Sequence, residues 1–426
     1  MKKAYIAVAA ALIILTAWLV ISRIPAPEAI ITFDGVRDTL VADLTCDAGS
    51  RTLRGTQTLT AVNRAGVTLD EILLRAPMSA FGGRTTVAHV MVNGESVPCS
   101  ADPGDDTVLR IDRAWAADET IRIDMTVMLT YPRTDGAAIL TLPQIALAED
   151  GAWRTDAFDA LSGRSYAAAM DVRVTVDGQI AAQLQGAREA SFAVAPDAKP
   201  VSKDVGGVRV IVMGATWRET RRLLSAAENA LHDLEKAGFA YPFASLRVAS
   251  AQAEGDGLSL SGLVALSPQK DADVLRRQLT RLIAQQTFGT LVENDPWNAP
   301  WLSVSLASAA ELLCYRMRAG QQAYEERFFG EVEIATRVTR PAGVTVGAGT
   351  AHFGSVSEMT QVLRDQGGAM LMGVAEAVGY EAFADALRAY AQACAHGFGS
   401  LDALCGALEA ATGSDWRGYL TDELSL

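Results

Sequence analysis

Arg281-Leu-Ile-Ala-Gln285-Gln-Thr-Phe-Gly289 closes one helical pattern, and twelve residues on Trp301-Leu-Ser-Val-Ser-Leu-Ala307 opens another, with Glu311 a turn further. The first pattern spans Asp273–Phe288, and its apolar stripe is Leu275, Leu279, Leu282 and Ile283. The second spans Leu302–Arg318. Arg281 and Gln285 lie four residues apart, so they share one face of the first helix. Two helices packed side by side would bring that polar pair towards the second helix.

Working outward, the two halves of the chain read differently. Before residue 207 the pattern is one of strands. Thr39–Cys46 and Arg54–Val62 alternate apolar and polar residues across an Asp47-Ala-Gly-Ser turn. Ala88–Val92 runs into an Asn93-Gly94 hairpin signal, and Thr107–Ile111 and Thr120–Leu129 follow. Many short strands with turns between them predict an antiparallel β-sandwich over residues 30–207. From Val208 onward short strands (Val208–Met213, Leu246–Ala249, Gly262–Leu266) mix with helices, and then helices take over. Thr216–Ala237 is amphipathic, with Leu224, Leu231 and Leu234 on one stripe and Gly238 as its stop. The predicted class is α+β, with a mostly helical second domain over 208–426.

The order of several short motifs resembles the aminopeptidase N-like gluzincins. Their HExxH-Q-W-F-G … W-L-N-E-G-F-A-x-x-x-E pattern is matched at Phe288, Gly289, Trp301, Leu302, Ala307 and Glu311. Gly257-Leu-Ser-Leu-Ser-Gly262-Leu-Val is similar to the strand that lines their substrate cleft, with Ser259 where a Glu grips the substrate's amine. Asp365-Gln-Gly-Gly-Ala369 stands where a Tyr stabilises the oxyanion. The resemblance implies a saddle-like β domain followed by a thermolysin-like domain, with the substrate cleft between them. It also implies that the positions of the two zinc-binding His, the general base and the third ligand are Arg281, Gln285, Leu282 and Val304. A guanidinium is never deprotonated in a protein and repels a cation, so this ligand set predicts no zinc and no peptidase activity. The candidate cleft positions are therefore Gly257, Ser259, Arg281, Leu282, Gln285, Val304, Glu311 and Asp365. A polar hole left by metal loss needs refilling; either Arg281 and Asp365 pair across the cleft, or Arg281 turns outward and Asp365 caps a helix near Gly367.

Composition narrows the function. The net charge is −13, which leaves no basic stripe for nucleic acid. Lys2 and Lys3 precede an apolar run from Ala4 to Ile21, with Arg23 after it. That run is long enough for a membrane helix, and its flanking charges predict a cytoplasmic N-terminus. The expectation is an anchor over 1–24, a linker at 25–29 and an extracytoplasmic body in a single-pass membrane protein. Cys46, Cys99, Cys314, Cys394 and Cys405 show no metal-binding spacing. Cys394 and Cys405 sit at the ends of neighbouring predicted helices, as a disulfide or as two buried thiols. No G-x-S-x-G or phosphate loop is present, and Ser259 and Ser261 near Arg281 lack a sequence-adjacent base. Three functions stay open. The first is a pseudo-metallopeptidase that binds a peptide or a membrane or secreted protein segment in the former cleft. The second is a non-catalytic scaffold subunit of a membrane complex, and the third a zinc aminopeptidase using unrecognised residues.

Overall fold

The computed structural model describes residues 38–134, 136–149, 151–154, 169–195, 198–253, 255–333 and 344–425. Its first half is made of strands: β1 (Asp38–Asp47), β2 (Thr52–Val62), β3 (Ile72–Arg75), β4 (Arg84–Val92), β5 (Glu95–Ser96), β6 (Cys99–Ala101), β7 (Val108–Ile111) and β8 (Thr120–Thr130). Then come β9 (Ala138–Thr141), β10 (Gln144–Ile145), β11 (Ala148–Glu149), β12 (Ala152–Trp153), β13 (Met170–Val176), β14 (Gln179–Ala187) and β15 (Ser191–Val194). A seven-stranded sheet in the order β14-β13-β1-β2-β8-β4-β5 and a four-stranded sheet, β10-β3-β7-β6, share one core. Strand β8 shows why. Ile121, Ile123, Met125, Val127 and Leu129 alternate onto the buried face, as the period of two requires. The large sheet is not purely antiparallel, however. Strand β1 pairs with β2 antiparallel but with β13 in parallel, Leu40 opposite Val172. Alternation within a strand says nothing about the direction of its neighbour.

A five-stranded sheet opens the second half, in the order β16-β17-β18-β20-β19, from β16 (Val201–Val205), β17 (Val208–Met213), β18 (Ser245–Ser250), β19 (Leu258–Leu260) and β20 (Leu263–Leu266). Helices cover it: α1 (Trp217–Lys236), α2 (Ala272–Gln286), α3 (Trp301–Ala319), α4 (Gln321–Arg327), α5 (Val356–Gln361), α6 (Gly367–Val378), α7 (Tyr380–Ala393), α8 (Leu401–Thr412) and α9 (Arg417–Leu424). Thr216 caps α1 by accepting from the Glu219 amide, and Asp271 caps α2 through the Asp273 and Val274 amides. The stripe of α2 is buried as expected, with Leu275, Leu279, Leu282 and Ile283 in the second core beside Trp301, Leu302 and Leu306 of α3. Helix α6 meets α3 closely at Gly367, where any Cβ would collide with Ser305 Oγ. Both halves belong to one compact unit. They are stitched together by a buried pair, Arg188 to Glu293 at 2.8 Å, and by Ser261, which donates to Glu189 at 2.6 Å.

The expected membrane anchor does not stand as part of this fold. Residues 4–21 lie outside the described residues, as does the linker, and no helix among the described residues is long and apolar enough to cross a membrane. The most apolar of the long helices, α3, carries Glu311, Arg316 and Arg318 and lies in the second core. The fold is accordingly a β domain followed by a mostly helical domain. The single-pass location falls with the anchor. Cys394 and Cys405 are free, buried thiols.

Candidate functional site

Helix α2 presents Arg281, Leu282 and Gln285 towards α3, and Val304 faces them from there. Together with Gly257 and Ser259 these residues line one cavity of about 60 Å³. That volume holds a few water molecules at most. Six of the eight candidate positions therefore meet in one place, and side chains such as Val356 and Met359 of α5 complete the wall. The other two, Glu311 and Asp365, lie around a neighbouring cavity of about 370 Å³, and Asp256 and Arg281 line both.

Arg281 does not pair with Asp365. Its Nε donates to Asp256 Oδ2 at 2.7 Å, and its Nη1 lies 3.5 Å from Glu311. Asp365 instead takes a two-pronged bond from its neighbour Arg364, at 2.7 and 2.8 Å. Arg364 also donates to the second oxygen of Asp256, at 2.9 Å. Asp256 thus stands between the two residues expected to touch. Burial opposes the charge of its carboxylate, and the guanidiniums of Arg281 and Arg364 outweigh burial, holding it below the usual carboxylate range. The segment bearing Arg364 and Asp365 is fixed by α3, since Ser305 and Ser308 donate to the Leu363 and Arg364 carbonyls at 2.7 Å each.

Glu311 is the most deeply buried of these carboxylates, at 2% exposure, and both its oxygens accept from Arg327 at 2.8 Å. Burial opposes the charges of Arg327 and Arg364, and the carboxylates beside them more than offset it. The outcome is an ionic cluster that continues through Arg327 to Glu331, where the sequence implied a single pair. Asp256, Arg327 and Arg364 were not among the expected site residues. Two of them adjoin quoted motifs, Asp256 before Gly257 and Arg364 before Asp365, and that adjacency was the available signal.

Ser259 is not a cleft anchor. Its hydroxyl donates to the Leu282 carbonyl at 2.8 Å and accepts from Gln286 Nε2 at 2.9 Å. The Gln286 amide also donates to Leu260 O and accepts from the Gly262 amide, clamping the β19–β20 hairpin to α2. Ser261 is fully buried against Glu189. Both hydroxyls serve packing. The residues present do not fit the zinc that this kind of fold implies: the four aligned positions hold a guanidinium, two aliphatic side chains and an amide, and the one carboxylate lining the cavity, Asp256, is taken up by Arg281 and Arg364. Among the described residues no group of three or more His, Cys, Asp or Glu is placed to hold a metal.

Beyond Gly257 and Val356, which line both spaces, a groove of about 450 Å³ runs between the β domain and the second sheet. Phe81, Pro132 and Ile139 form one wall, and Leu258 of β19 and Val356 form the other. Among the described residues strand β19 is the outermost strand of its sheet, paired only with β20. Gly257 holds φ at +117°, and a Cβ there would meet the Ala265 carbonyl at 2.6 Å.

A β domain, a mixed sheet with an antiparallel edge strand, and a helical layer carrying the Arg281 cavity define the fold of the M1 zinc metallopeptidases, the aminopeptidase N-like gluzincin fold. The structure is similar to that of the M1 zinc metallopeptidase from Deinococcus radiodurans, with a TM-score of 0.61 and 18% identity over 91% of this chain and 93% of that one. A mutant of the same enzyme gives 0.62 at 18% identity, covering 91% and 94%. A mutant bound to a Tyr-Ser-Ala substrate gives 0.57 at 18% identity, with the same coverage. No family model matches the chain, and no curated protein matches it in sequence.

Proposed function

We propose that this chain is a non-catalytic protein on the M1 metallopeptidase fold, without zinc, that holds a peptide or protein segment in the outer part of the former substrate cleft. The observation that carries the reading is the contrast within that cleft. About 450 Å³ is open beside Gly257 and Leu258, at the start of the edge strand β19, whereas the cavity around Arg281 and Gln285 measures about 60 Å³. Edge strands bind extended chains by adding a strand to the sheet, and pockets beside the strand supply selectivity. A scaffold that used only its outer surfaces would have no need of an open groove, so peptide binding takes precedence. Loss of catalysis is supported by the residues at the centre. The ligand positions carry no donor, the base position is Leu282, and Asp365 at the oxyanion position would repel a developing negative charge.

Two measurements on the purified chain test this. Metal analysis is expected to give far less than one zinc per chain, and a chelator is expected to leave the melting temperature unchanged. Structural zinc contributes roughly 10 kcal/mol or more where it is present, so a chelator-induced fall would sink the zinc-free reading. Screening a peptide library by fluorescence polarisation tests the groove. Cleavage of library members that is lost on chelation would show an enzyme instead.

A further inference from the structure

We infer that a second cavity, between α1 and the start of α2, binds the phosphoryl group of a small phosphate ester; the inference does not depend on the peptide-binding reading. The cavity measures about 310 Å³ and shares no lining residue with the former cleft or the groove. Arg222, Ser225 and Asn229 of α1, Arg276 of α2 and Arg318 near the end of α3 line it. Positions 222, 225 and 229 recur at helical spacing, so one face of α1 brings a guanidinium, a hydroxyl and an amide to the same space.

The first support is a surplus of positive charge. Three guanidiniums line the cavity, and two carboxylates serve them. Asp233 accepts from Nε and Nη2 of Arg276 at 2.7 and 2.6 Å. Asp273 accepts from Arg318 at 2.7 Å and is shared with Arg277. Arg222 has no carboxylate: its Nη2 donates to the Gln269 and Lys270 carbonyls, and its Nε and Nη1 make no hydrogen bond among the described residues. Arg218, exposed one turn earlier on the same face of α1, makes neither an ion pair nor a hydrogen bond among the described residues. Two uncompensated cations stand side by side in a chain that carries 50 acidic residues against 37 basic ones. The second support is a set of unused donors. Among the described residues Arg276 Nη1, the Ser225 hydroxyl and the Asn229 amide make no hydrogen bond. A phosphoryl group presents three accepting oxygens to forked guanidinium donors, whereas a carboxylate has only two. The third support is room. The volume exceeds that of a single tetrahedral ion, and Ala226, Ala272 and Leu275 give the cavity an apolar side for the rest of the ester.

The test titrates the full chain by calorimetry with phenyl phosphate, inorganic phosphate and acetate at fixed pH and ionic strength, since salt screens exposed charges. Phenyl phosphate is expected to bind at one site per chain, more than about tenfold tighter than acetate, and to raise the melting temperature. Arg222→Gln is expected to weaken it by more than about tenfold. Asn229→Asp places a carboxylate in the cavity, so it is expected to weaken phenyl phosphate as strongly while raising the melting temperature of the ligand-free chain. The second variant keeps the test decisive if Arg222→Gln fails to fold. Inorganic phosphate binding as tightly as phenyl phosphate overturns the ester and leaves a site for the free ion. Acetate binding as tightly as either phosphate, or no heat with any of the three, overturns the phosphoryl site. Undiminished binding by Asn229→Asp overturns its placement in this cavity.

Discussion

Between Phe81 and Leu258 the cleft keeps about 450 Å³ of open space; across Gly257 and Val356, around Arg281 and Gln285, it keeps about 60 Å³. The difference follows from what each region is made of. Among the described residues the outer wall is mostly small and apolar, with Thr134 and Gln252, carries no ionisable side chain, and stays open to solvent. The inner region carries buried charges, and buried charges persist only when paired. Arg281 therefore occupies the centre and draws in Asp256 and Glu311, while Arg364 and Arg327 saturate what remains of those carboxylates. One region holds space, and the other holds the fold.

The sharpest way to break this comparison is to attack the inner cluster at its most buried member. Glu311→Ala takes from Arg327, only 9% exposed, its two-pronged partner and leaves it the more exposed Glu331 at 3.2 Å. The expected loss is about 2–4 kcal/mol in urea unfolding, and a loss below about 1 kcal/mol would mean that the cluster is not structural. Arg281→Met should cost less, about 1–3 kcal/mol, because Asp256 keeps Arg364 and Glu311 keeps Arg327. Double-mutant cycles refine the point. Arg281→Met should couple to Asp256→Asn by about 1 kcal/mol or more, and to Asp365→Asn by less than about 0.5 kcal/mol. The reverse order would restore the direct Arg281–Asp365 pair.

Acid provides a further probe. The folded-state pKa of Asp256 is depressed, so its contribution is present above the ordinary carboxylate pKa and is lost as pH falls through the lower folded value. The stability gap between the wild type and Asp256→Asn should therefore be widest near neutrality and shrink below about pH 4. A gap that is constant with pH would show that the charge of Asp256 contributes nothing. The smallest effect belongs to the outer groove. Gln252→Trp should change stability by less than about 0.5 kcal/mol, as ordinary exposed substitutions do. A larger loss would mean that the open half is also holding the fold.

Much of the architecture was legible before any coordinates. Strands such as β8 and helices such as α2 announce themselves because periodicity belongs to a single segment and its own burial. The presence of Arg281, Leu282, Gln285 and Val304 at the motif positions was legible for the same reason: residue identity at a motif position is local. Only the tertiary structure decided the rest. The parallel pairing of β1 with β13 joins distant segments that carry no mark of their mutual direction. Whether Arg281 meets Asp365 or Asp256 depends on separations in space, since the partners of this cluster lie 25, 30 and 108 residues apart in the chain. Open volume is decided in the same way. A groove is what two domains fail to fill when they pack, and no single segment encodes it.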